Sequence, residues 1–290
     1  MDAVFQYLAT GIMVGGIYGL IALSIVLICK ATGVFNFAVG QLVMLGAFIY
    51  YALANQLGWS VWISFPLSVL IAAGVGALIN RLTMQPLIGQ PVGTQMMVTL
   101  ALVSFINGMT LIIWGGNIQV IQNFLPGDSV RLGNTTFSTV LIGAFIVAVI
   151  VFIAFAIFFQ KTKYGLAMRA TAESHMVAQA RGINVKLIFT LTWALAAFIA
   201  AVAGIFLGIK VGVAIPIGAI GLKAFSAVLF GGVDSVLGAI VGGLLVGIIE
   251  TLSGGLLNPW LMEITPFIII LLILIVRPGG LFGQKRIERI

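Results

Sequence analysis

Apolar residues occur along this chain in long continuous runs, not in the alternating pattern of a β-strand. Several runs reach about 20 residues, the length at which a helix crosses a hydrocarbon layer roughly 30 Å thick. A transmembrane barrel is excluded, because its strands alternate apolar and polar residues over about ten positions. The runs predict membrane-spanning helices at 8–29, 36–54, 61–80, 96–114, 138–159, 188–209, 235–252 and 262–276.

A further apolar stretch, 212–233, contains residues that break helices and one charged residue. These are Gly212, Pro216, Gly218, Gly221 and Lys223. A broken segment crosses a membrane only where protein or water satisfies its loosened backbone. We therefore expect 212–233 to lie inside an all-α bundle of about eight or nine transmembrane helices. The whole chain, 1–290, is expected to form this one membrane domain.

The composition agrees with a protein whose main solvent is lipid. Of the 290 residues, 61% are apolar and 7% are charged, whereas roughly 25% of the residues of a soluble domain are charged. So few charges cannot cover a water-facing surface. The single cysteine, Cys29, excludes a disulfide within the chain.

The basic residues lie mostly in short gaps between the apolar runs, and the net charge is +7. Cytoplasmic loops are enriched in Lys and Arg, so we expect the N-terminus outside and the C-terminus inside. Arg131 and Lys210 then face outside, and Lys223 lies within the membrane. Because this orientation requires an odd number of crossings, 212–233 is expected to cross as well. The residues expected in the cytoplasm are Lys30, Arg81, Lys161, Lys163, Arg169, Arg181, Lys186, Arg277, Lys285, Arg286 and Arg289.

The sequence contains no motif that indicates chemistry within this chain. No segment matches the G-x-x-x-x-G-K-[ST] phosphate loop, and the lone His175 has no cysteine near it that would indicate a metal site. The basic residues do not form the solvated patch that nucleic-acid binding requires. No span carries the paired acidic groups common in proton- or sodium-coupled carriers. We therefore expect no catalytic residues, no metal and no cofactor in this chain, and no nucleic-acid partner.

The longest polar stretch, 160–186, contains a predicted short helix. It is rich in Ala and Met, which favour helix formation, and its apolar residues recur at three- and four-residue spacing. Gly182 is placed to end this helix, with Arg181 at its negative end. The spacing is compatible with a connector lying on lipid and with a docking element for another protein.

Four stretches together carry a more specific signal. They are Gly33–Gln41 (GVFNFAVGQ), Arg169–Asn184, Gly221–Gly232 (GLKAFSAVLFGG) continuing to Glu250, and Arg277–Gly283 (RPGGLFG). In this order they resemble the branched-chain amino-acid permease family of ABC importers. The resemblance covers most of the chain.

This resemblance implies a permease in a bacterial inner membrane that works with partner proteins. Two cytoplasmic ATPase subunits would carry the ATP, and a second related permease subunit or a second copy would complete the pathway. A periplasmic or extracellular binding protein would deliver the solute. The loop 160–186 would be the coupling loop that docks on an ATPase. Its expected contact residues are Arg169, Ala172, Glu173, Arg181 and Gly182.

The first matching stretch also supplies candidate pathway residues. Asn36 lies at the start of a predicted span, where a loosened helix end offers polar groups to a solute; an ordinary helix start with Asn36 as N-cap is the alternative. The family pattern usually has His-Gly-Glu where this chain has Val39-Gly40-Gln41. The solute is therefore a branched-chain amino acid or a related small polar molecule, such as an amide, urea or an aromatic acid. The candidate pathway residues are Asn36, Phe37, Gly40, Gln41 and Lys223.

Lys223 has two interpretations. A cation in the middle of a membrane costs about 2.5–3.5 kcal/mol on the insertion scale, so it needs a partner. Pairing with Asp234 or Glu250 would be structural, whereas pairing with a solute carboxylate would be functional.

The interpretation that these observations support is the permease subunit of an ABC importer. The alternatives are a self-sufficient channel or facilitator for a small neutral solute, which would need neither nucleotide nor a loop partner, and a purely structural membrane subunit.

Overall fold

Helices make up most of the computed structural model, which describes residues 2–132, 135–277 and 279–283. Between them the chain forms a short β-hairpin. The helices are α1 (Asp2–Thr32), α2 (Val39–Tyr51), α3 (Val61–Ile79), α4 (Val92–Trp114), α5 (Thr139–Lys161), α6 (Lys163–Glu173), α7 (His175–Ala180), α8 (Val185–Val211), α9 (Ile220–Gly231), α10 (Val236–Leu256) and α11 (Leu261–Val276).

Irregular turns extend three of these helices. A π-helical turn, Ala52–Gln56, follows α2. A second π-helical turn, Asn80–Met84, and a 3₁₀ turn, Gln85–Leu87, follow α3. A 3₁₀ turn, Ile215–Ala219, leads into α9. The last of these lies in the apolar stretch that the sequence predicts to be broken.

The hairpin lies in the long loop between α4 and α5. Its strands, β1 (Ser129–Leu132) and β2 (Thr135–Ser138), are antiparallel, with Val130 opposite Phe137. The ring of Phe137 meets that of Phe5 edge-on, with 6.4 Å between centroids. The hairpin is thereby attached to the first turn of α1.

Six helices of the described chain are long and apolar enough to cross a membrane: α1, α3 with its following turns, α4, α5, α8 and α10. The expected eight or nine spans, one of them broken, exceed the number of helices that are long enough to cross alone, so the count is somewhat off, although the all-α transmembrane class is confirmed. α9 has 12 residues, a length of about 18 Å at 1.5 Å per residue. α2 has 13 residues and continues into a five-residue π-helical turn, and α11 has 16, so both are shorter than the six long helices.

α1 occupies the centre of the bundle and packs closely against α10. A Cβ placed at Gly15 would lie 2.6 Å from the Cα of Leu244, and one at Gly11 would lie 2.7 Å from the Cα of Ile248. Small residues allow this approach in lipid, where dispersion contacts drive helix association. In the most apolar window of α1, 83% of the residues are buried, against 22% in α4. α4 therefore lies at the periphery.

One end of the bundle gathers the loops that the sequence predicts to be cytoplasmic. The ammonium of Lys30 donates to the carbonyl oxygen of Asp234 at 3.0 Å, and His175 Nε2 lies 3.1 Å from the carbonyl oxygen of Ala31. The side chain of Gln85 donates to the carbonyl oxygen of Lys186. The basic residues Lys285, Arg286 and Arg289 lie outside the described residues.

Candidate pathway and coupling loop

The chain between α1 and α2 places Asn36 in the interior. Helix α2 begins at Val39, three residues later than predicted, and Ala38 is its N-cap residue. The side chain of Asn36 accepts a hydrogen bond from the N–H of Ala38 at 2.9 Å, and the N–H of Phe37 donates to Thr99 Oγ1 on α4 at 3.4 Å. Asn36 therefore supports the helix start from just outside it.

The start of α2 packs directly against the broken segment. A Cβ at Gly40 would overlap the carbonyl oxygen of Gly218, and one at Gly221 would lie 2.8 Å from the backbone nitrogen of Gly40. A Cβ at Gly218 would lie 2.8 Å from the side-chain nitrogen of Gln41. The absence of side chains at these glycines thus allows two helix starts to meet backbone to backbone.

Three phenylalanine rings cover this junction on the side of the 33–38 segment. The ring of Phe225, on α9, lies 6.0 Å from that of Phe35 and 5.5 Å from that of Phe37, measured between centroids. All three rings are partly exposed. The structure therefore brings Phe37 and two rings that the sequence analysis did not single out into one aromatic cluster, Phe35–Phe37–Phe225.

Two polar atoms at the junction are buried without a hydrogen-bond partner in the described part of the chain, Asn36 Nδ2 and Gln41 Oε1. Asn36 is 0% exposed and Gln41 6%. One atom is a donor and the other an acceptor, and neither group carries a charge. Since buried polar groups are usually paired, their state needs an explanation beyond packing.

Lys223 lies on α9 but points away from the aromatic cluster. Its ammonium is 2.9 Å from Glu263 Oε2, on α11, and 3.5 Å from Glu250 Oε1, on α10. Of the two partners that the sequence suggests, Glu250 is correct. Asp234 is wrong, because it lies beyond the C-terminal end of α9 and forms no ion pair with Lys223 in the described chain.

Glu263 was missed, although one signal for it exists in the sequence. It is the acidic residue in the first turn of the last predicted span, 262–276. A carboxylate so close to an apolar run needs water or a cation. We name the three charged residues Lys223, Glu250 and Glu263 the ion cluster. Asn36, Phe37, Gly40 and Gln41 come together at the junction, and Lys223 belongs to the ion cluster instead.

The predicted helix in the loop 160–186 is divided into two, α6 and α7. Thr162 caps α6 by accepting from the N–H of Gly165 at 3.0 Å, and Ser174 caps α7 by accepting from the N–H of Val177 at 3.3 Å. The chain turns at Ser174 because its backbone is extended there, with φ −160° and ψ 117°. Gly182 follows the end of α7 with φ +79°, as its predicted role requires.

The two loop helices differ in how they meet the bundle. On α6, the guanidinium of Arg169 lies 5.6 Å from the centroid of the Phe159 ring, and Met168 is buried. On α7, Met176 is 81% exposed and Val177 60%. α6 is thus attached to the end of α5, and both helices present apolar side chains outward, since Leu166 on α6 is 61% exposed.

A recess of about 700 Å³ opens beside these helices at the same end of the bundle. Its lining includes Lys30, Arg169, Glu173 and His175. Among the predicted coupling residues, Arg169, Ala172 and Glu173 therefore line one recess, whereas Arg181 and Gly182 lie exposed beyond α7.

The arrangement matches a known family of membrane proteins. The sequence profile of the family described as "Branched-chain amino acid transport system / permease component" matches residues 7–275. The chain belongs to this family. It is therefore the permease subunit of an ABC importer, as the motif order predicts.

Related permeases cover almost the whole chain. The chain is 30% identical to the high-affinity branched-chain amino acid transport system permease protein BraD of Pseudomonas aeruginosa, over 98% of this chain and 97% of that protein. It is also 30% identical to LivH of Escherichia coli K12, the corresponding high-affinity permease protein, with the same coverage. These relatives support the permease interpretation over a self-sufficient channel.

A solved structure shares the fold. The chain resembles PsaBC from Streptococcus pneumoniae, determined in complex with a Fab, with a TM-score of 0.51 and 16% identity. The similarity covers 97% of this chain and 94% of the other. At this identity the match supports the architecture of the permease and not its solute.

Proposed function

We propose that this permease carries branched-chain amino acids inward across a bacterial cytoplasmic membrane, through a pathway at the junction of α2 with the broken segment. The observation that carries the proposal is this junction. It combines two interrupted helices, a buried unpaired donor and acceptor, and an aromatic cluster. Interrupted helices at such a site are typical of transporters, because their free ends offer polar groups to a solute.

The chemistry of the junction fits an amino acid with an aliphatic side chain. Asn36 Nδ2 is free to donate to a carboxylate, and Gln41 Oε1 is free to accept from an ammonium group. Phe35, Phe37 and Phe225 offer an apolar wall to the side chain. Neutral amides bind weakly enough to let the solute leave again, as transport requires.

Energy for transport is proposed to come from two ATPase subunits that dock at the loops 160–186. The support is the exposed apolar surface of the loop helices, formed by Leu166 on α6 and by Met176 and Val177 on α7. Exposed apolar side chains outside the membrane are typical of contact surfaces. In this proposal Arg169, Ala172, Glu173, Arg181 and Gly182 transmit ATP-driven movement by packing and charge, and the ATP is held by the partner subunits.

The remaining partners and the orientation complete the proposal. A second related permease subunit, or a second copy of this chain, forms the other half of the pathway, and an external binding protein delivers the solute. The N-terminus lies outside and the C-terminus in the cytoplasm, because the basic residues gather at the end of the bundle that carries α6 and α7. In this orientation the short helices α2, α9 and α11 cross together with the six long ones, because six crossings alone would put both termini on one side.

Uptake in proteoliposomes tests this function. The permease is reconstituted with its ATPase subunits and binding protein, and uptake of radiolabelled leucine, urea and a neutral amide is measured with and without ATP. We expect uptake of leucine that depends on both the ATPases and ATP. Uptake of urea or the amide in preference to leucine would reassign the solute, and uptake independent of the ATPases would contradict the proposal.

A further inference from the structure

The short helix α9 has two faces with different contacts. Lys223 and Phe225 are two positions apart, which separates their side chains by about 200° around a helix of 3.6 residues per turn. The ammonium of Lys223 meets carboxylates on α10 and α11, while the ring of Phe225 meets Phe35 and Phe37. The position of the Phe225 ring therefore depends on how α9 is held from its opposite side.

Backbone hydrogen bonds hold the C-terminal end of α9. The N–H groups of Leu281 and Phe282 donate to the carbonyl oxygens of Phe230 and Gly231, both at 2.9 Å. The next residue, Gly232, has φ +106° and ends the helix. These bonds anchor the C-terminal end of α9.

The other half of α9 is held by charges. Lys223 is 16% exposed in its side chain, Glu250 4% and Glu263 68%. The pair with Glu250 is buried, so salt screens it only weakly, whereas the pair with Glu263 is open to screening. Because the carboxylates belong to α10 and α11, the ion cluster ties the N-terminal half of α9 to both helices. An ammonium that already meets two carboxylates is not available as the binding site for a solute carboxylate.

We propose that the ion cluster is a latch that keeps Phe225 against Phe35 and Phe37 and so closes the pathway in the resting transporter. Lys223 is then a positioning residue, which acts on the solute only through the aromatic cluster. The inference rests on the proposed pathway at the α2 junction. Opening of the pathway requires α9 to move relative to α10 and α11. Without ATP, the strength of the latch determines how often this movement occurs.

The test measures leak. The assembled transporter is reconstituted in vesicles loaded with radiolabelled leucine, without nucleotide, and efflux is followed. We expect Lys223→Met and Phe225→Ala each to raise efflux on the order of tenfold, the change that corresponds to about 1.4 kcal/mol in a barrier. Lys223→Arg is expected to remain as tight as the wild type, since the charge is kept. The charge exchange Lys223→Glu/Glu250→Lys, made together with Glu263→Gln, keeps an ion pair between α9 and α10 with no like charges side by side and is expected to restore part of the tightness.

A matched control separates the latch from a general loss of acidic residues. Asp234→Asn removes a carboxylate at the end of α9 that makes no salt bridge within the described chain, and efflux should not change. The melting temperature of each variant in detergent is measured alongside, because Lys223→Met is itself expected to be less stable than the wild type. Rescue by the charge exchange is an outcome that mere loss of folding does not produce.

The outcomes are distinguishable. If Phe225→Ala leaks and Lys223→Met does not, the latch is overturned while the proposed pathway stands. If neither variant leaks, the aromatic cluster does not close the pathway, and both the latch and the placement of the pathway are wrong. If Lys223→Met leaks and the charge exchange does not restore tightness, the ion pairing is not the cause and the latch is again overturned.

Discussion

Removing the ammonium of Lys223 takes from the buried carboxylate of Glu250 its ion-pair partner in the described chain. Breaking a buried pair by deleting one partner costs about 3–5 kcal/mol, because an uncompensated charge remains. Lys223 is 16% exposed in its side chain, so we expect Lys223→Met to fall at or below the low end of this range. The measurement is the melting temperature in detergent, which should fall.

A second substitution tests the origin of that loss. Glu250→Gln removes the stranded charge, so the double variant Lys223→Met/Glu250→Gln should recover part of the melting temperature, as coupled sites do. Glu263→Gln in the same background should recover less, because Glu263 is 68% exposed and keeps its hydration. Equal recovery by both would contradict the assignment of Glu250 as the buried partner.

Asn36 offers a test of the proposed solute contact. Asn36→Asp keeps the oxygen that accepts from the N–H of Ala38 but replaces the free donor with a negative charge. We expect it to lower uptake of leucine, whose carboxylate it repels, much more than uptake of leucinamide, which lacks one. ATP-driven uptake of the two compounds is measured in proteoliposomes.

The matched control for this variant is Asn80→Asp. Asn80 follows the end of α3, is as buried as Asn36 and also has an unpaired Nδ2 atom. Its side-chain oxygen, however, accepts from the hydroxyl of Thr190. An unpaired amide alone therefore does not make a site, and this variant should not change the ratio of leucine to leucinamide uptake. Equal changes in both variants would assign the effect to general destabilisation.

At the residue scale, the sequence identifies which side chains need partners but not which partners they find. Lys223 stands out because a charge in an apolar stretch is costly, and that argument required no structure. Asp234 and Glu250 were then indistinguishable, because both follow Lys223 along the chain and the fold decides which one faces it. Phe35 and Phe225 did not stand out in the sequence, because phenylalanine is common in any membrane helix.

At the scale of elements, the contact between α2 and the broken segment depends on glycine. Gly40→Ala adds a methyl group that would overlap the carbonyl oxygen of Gly218, so the two helix starts must separate. We expect a lower melting temperature and, because the aromatic cluster lies beside this contact, impaired uptake. Gly74→Ala on α3 is the control, as no atom lies within 4 Å of its added methyl group, and it should change neither quantity.

The coupling loop allows a comparison of two glycines in similar backbone conformations. Gly182→Val places a β-branched residue at φ +79°, and Gly58→Val does so at φ +67° in the loop between α2 and α3. Both are strained, because L-residues rarely adopt positive φ. We expect Gly182→Val, like Glu173→Lys, to abolish solute-stimulated ATP hydrolysis while membrane insertion persists. Loss of stimulation in Gly58→Val as well would indicate strain alone.

Helix existence was predictable from apolar runs, but helix boundaries depended on local backbone chemistry. α2 begins at Val39 and not at 36, because the Asn36 side chain holds the preceding turn in a non-helical form. The loop helix divides at Ser174, because the serine hydroxyl caps a new helix by accepting from Val177. Both residue types favour such local hydrogen bonds, so a serine inside an apparent helix signals a division that spacing alone hides.

At the scale of the whole molecule, the span count was somewhat off for a physical reason. An apolar run reports that a segment is surrounded by lipid or protein, and it does not report whether one helix crosses the bilayer. α9 and α11 are as apolar as the long helices, yet they are short helices packed against α10. The family and the all-α class could be predicted from the sequence, because they depend on motif order and composition and not on the length of single helices.

The orientation of the bundle in the membrane is predicted from the distribution of basic residues between its two ends. The end that carries α6 and α7 also holds most of the basic residues of the described loops, whereas the opposite end holds the hairpin with Arg131. Since cytoplasmic loops retain Lys and Arg, reporter fusions after Gln160 and after Arg286 should both report the cytoplasm, and a fusion after Gly127 should report the outside. The three sites also test the crossings between them, because Gln160 and Arg286 share a side only if an even number of crossings separates them. A periplasmic signal at either Gln160 or Arg286 would invert or break this arrangement, and the ATPases would then have no access to the loop 160–186.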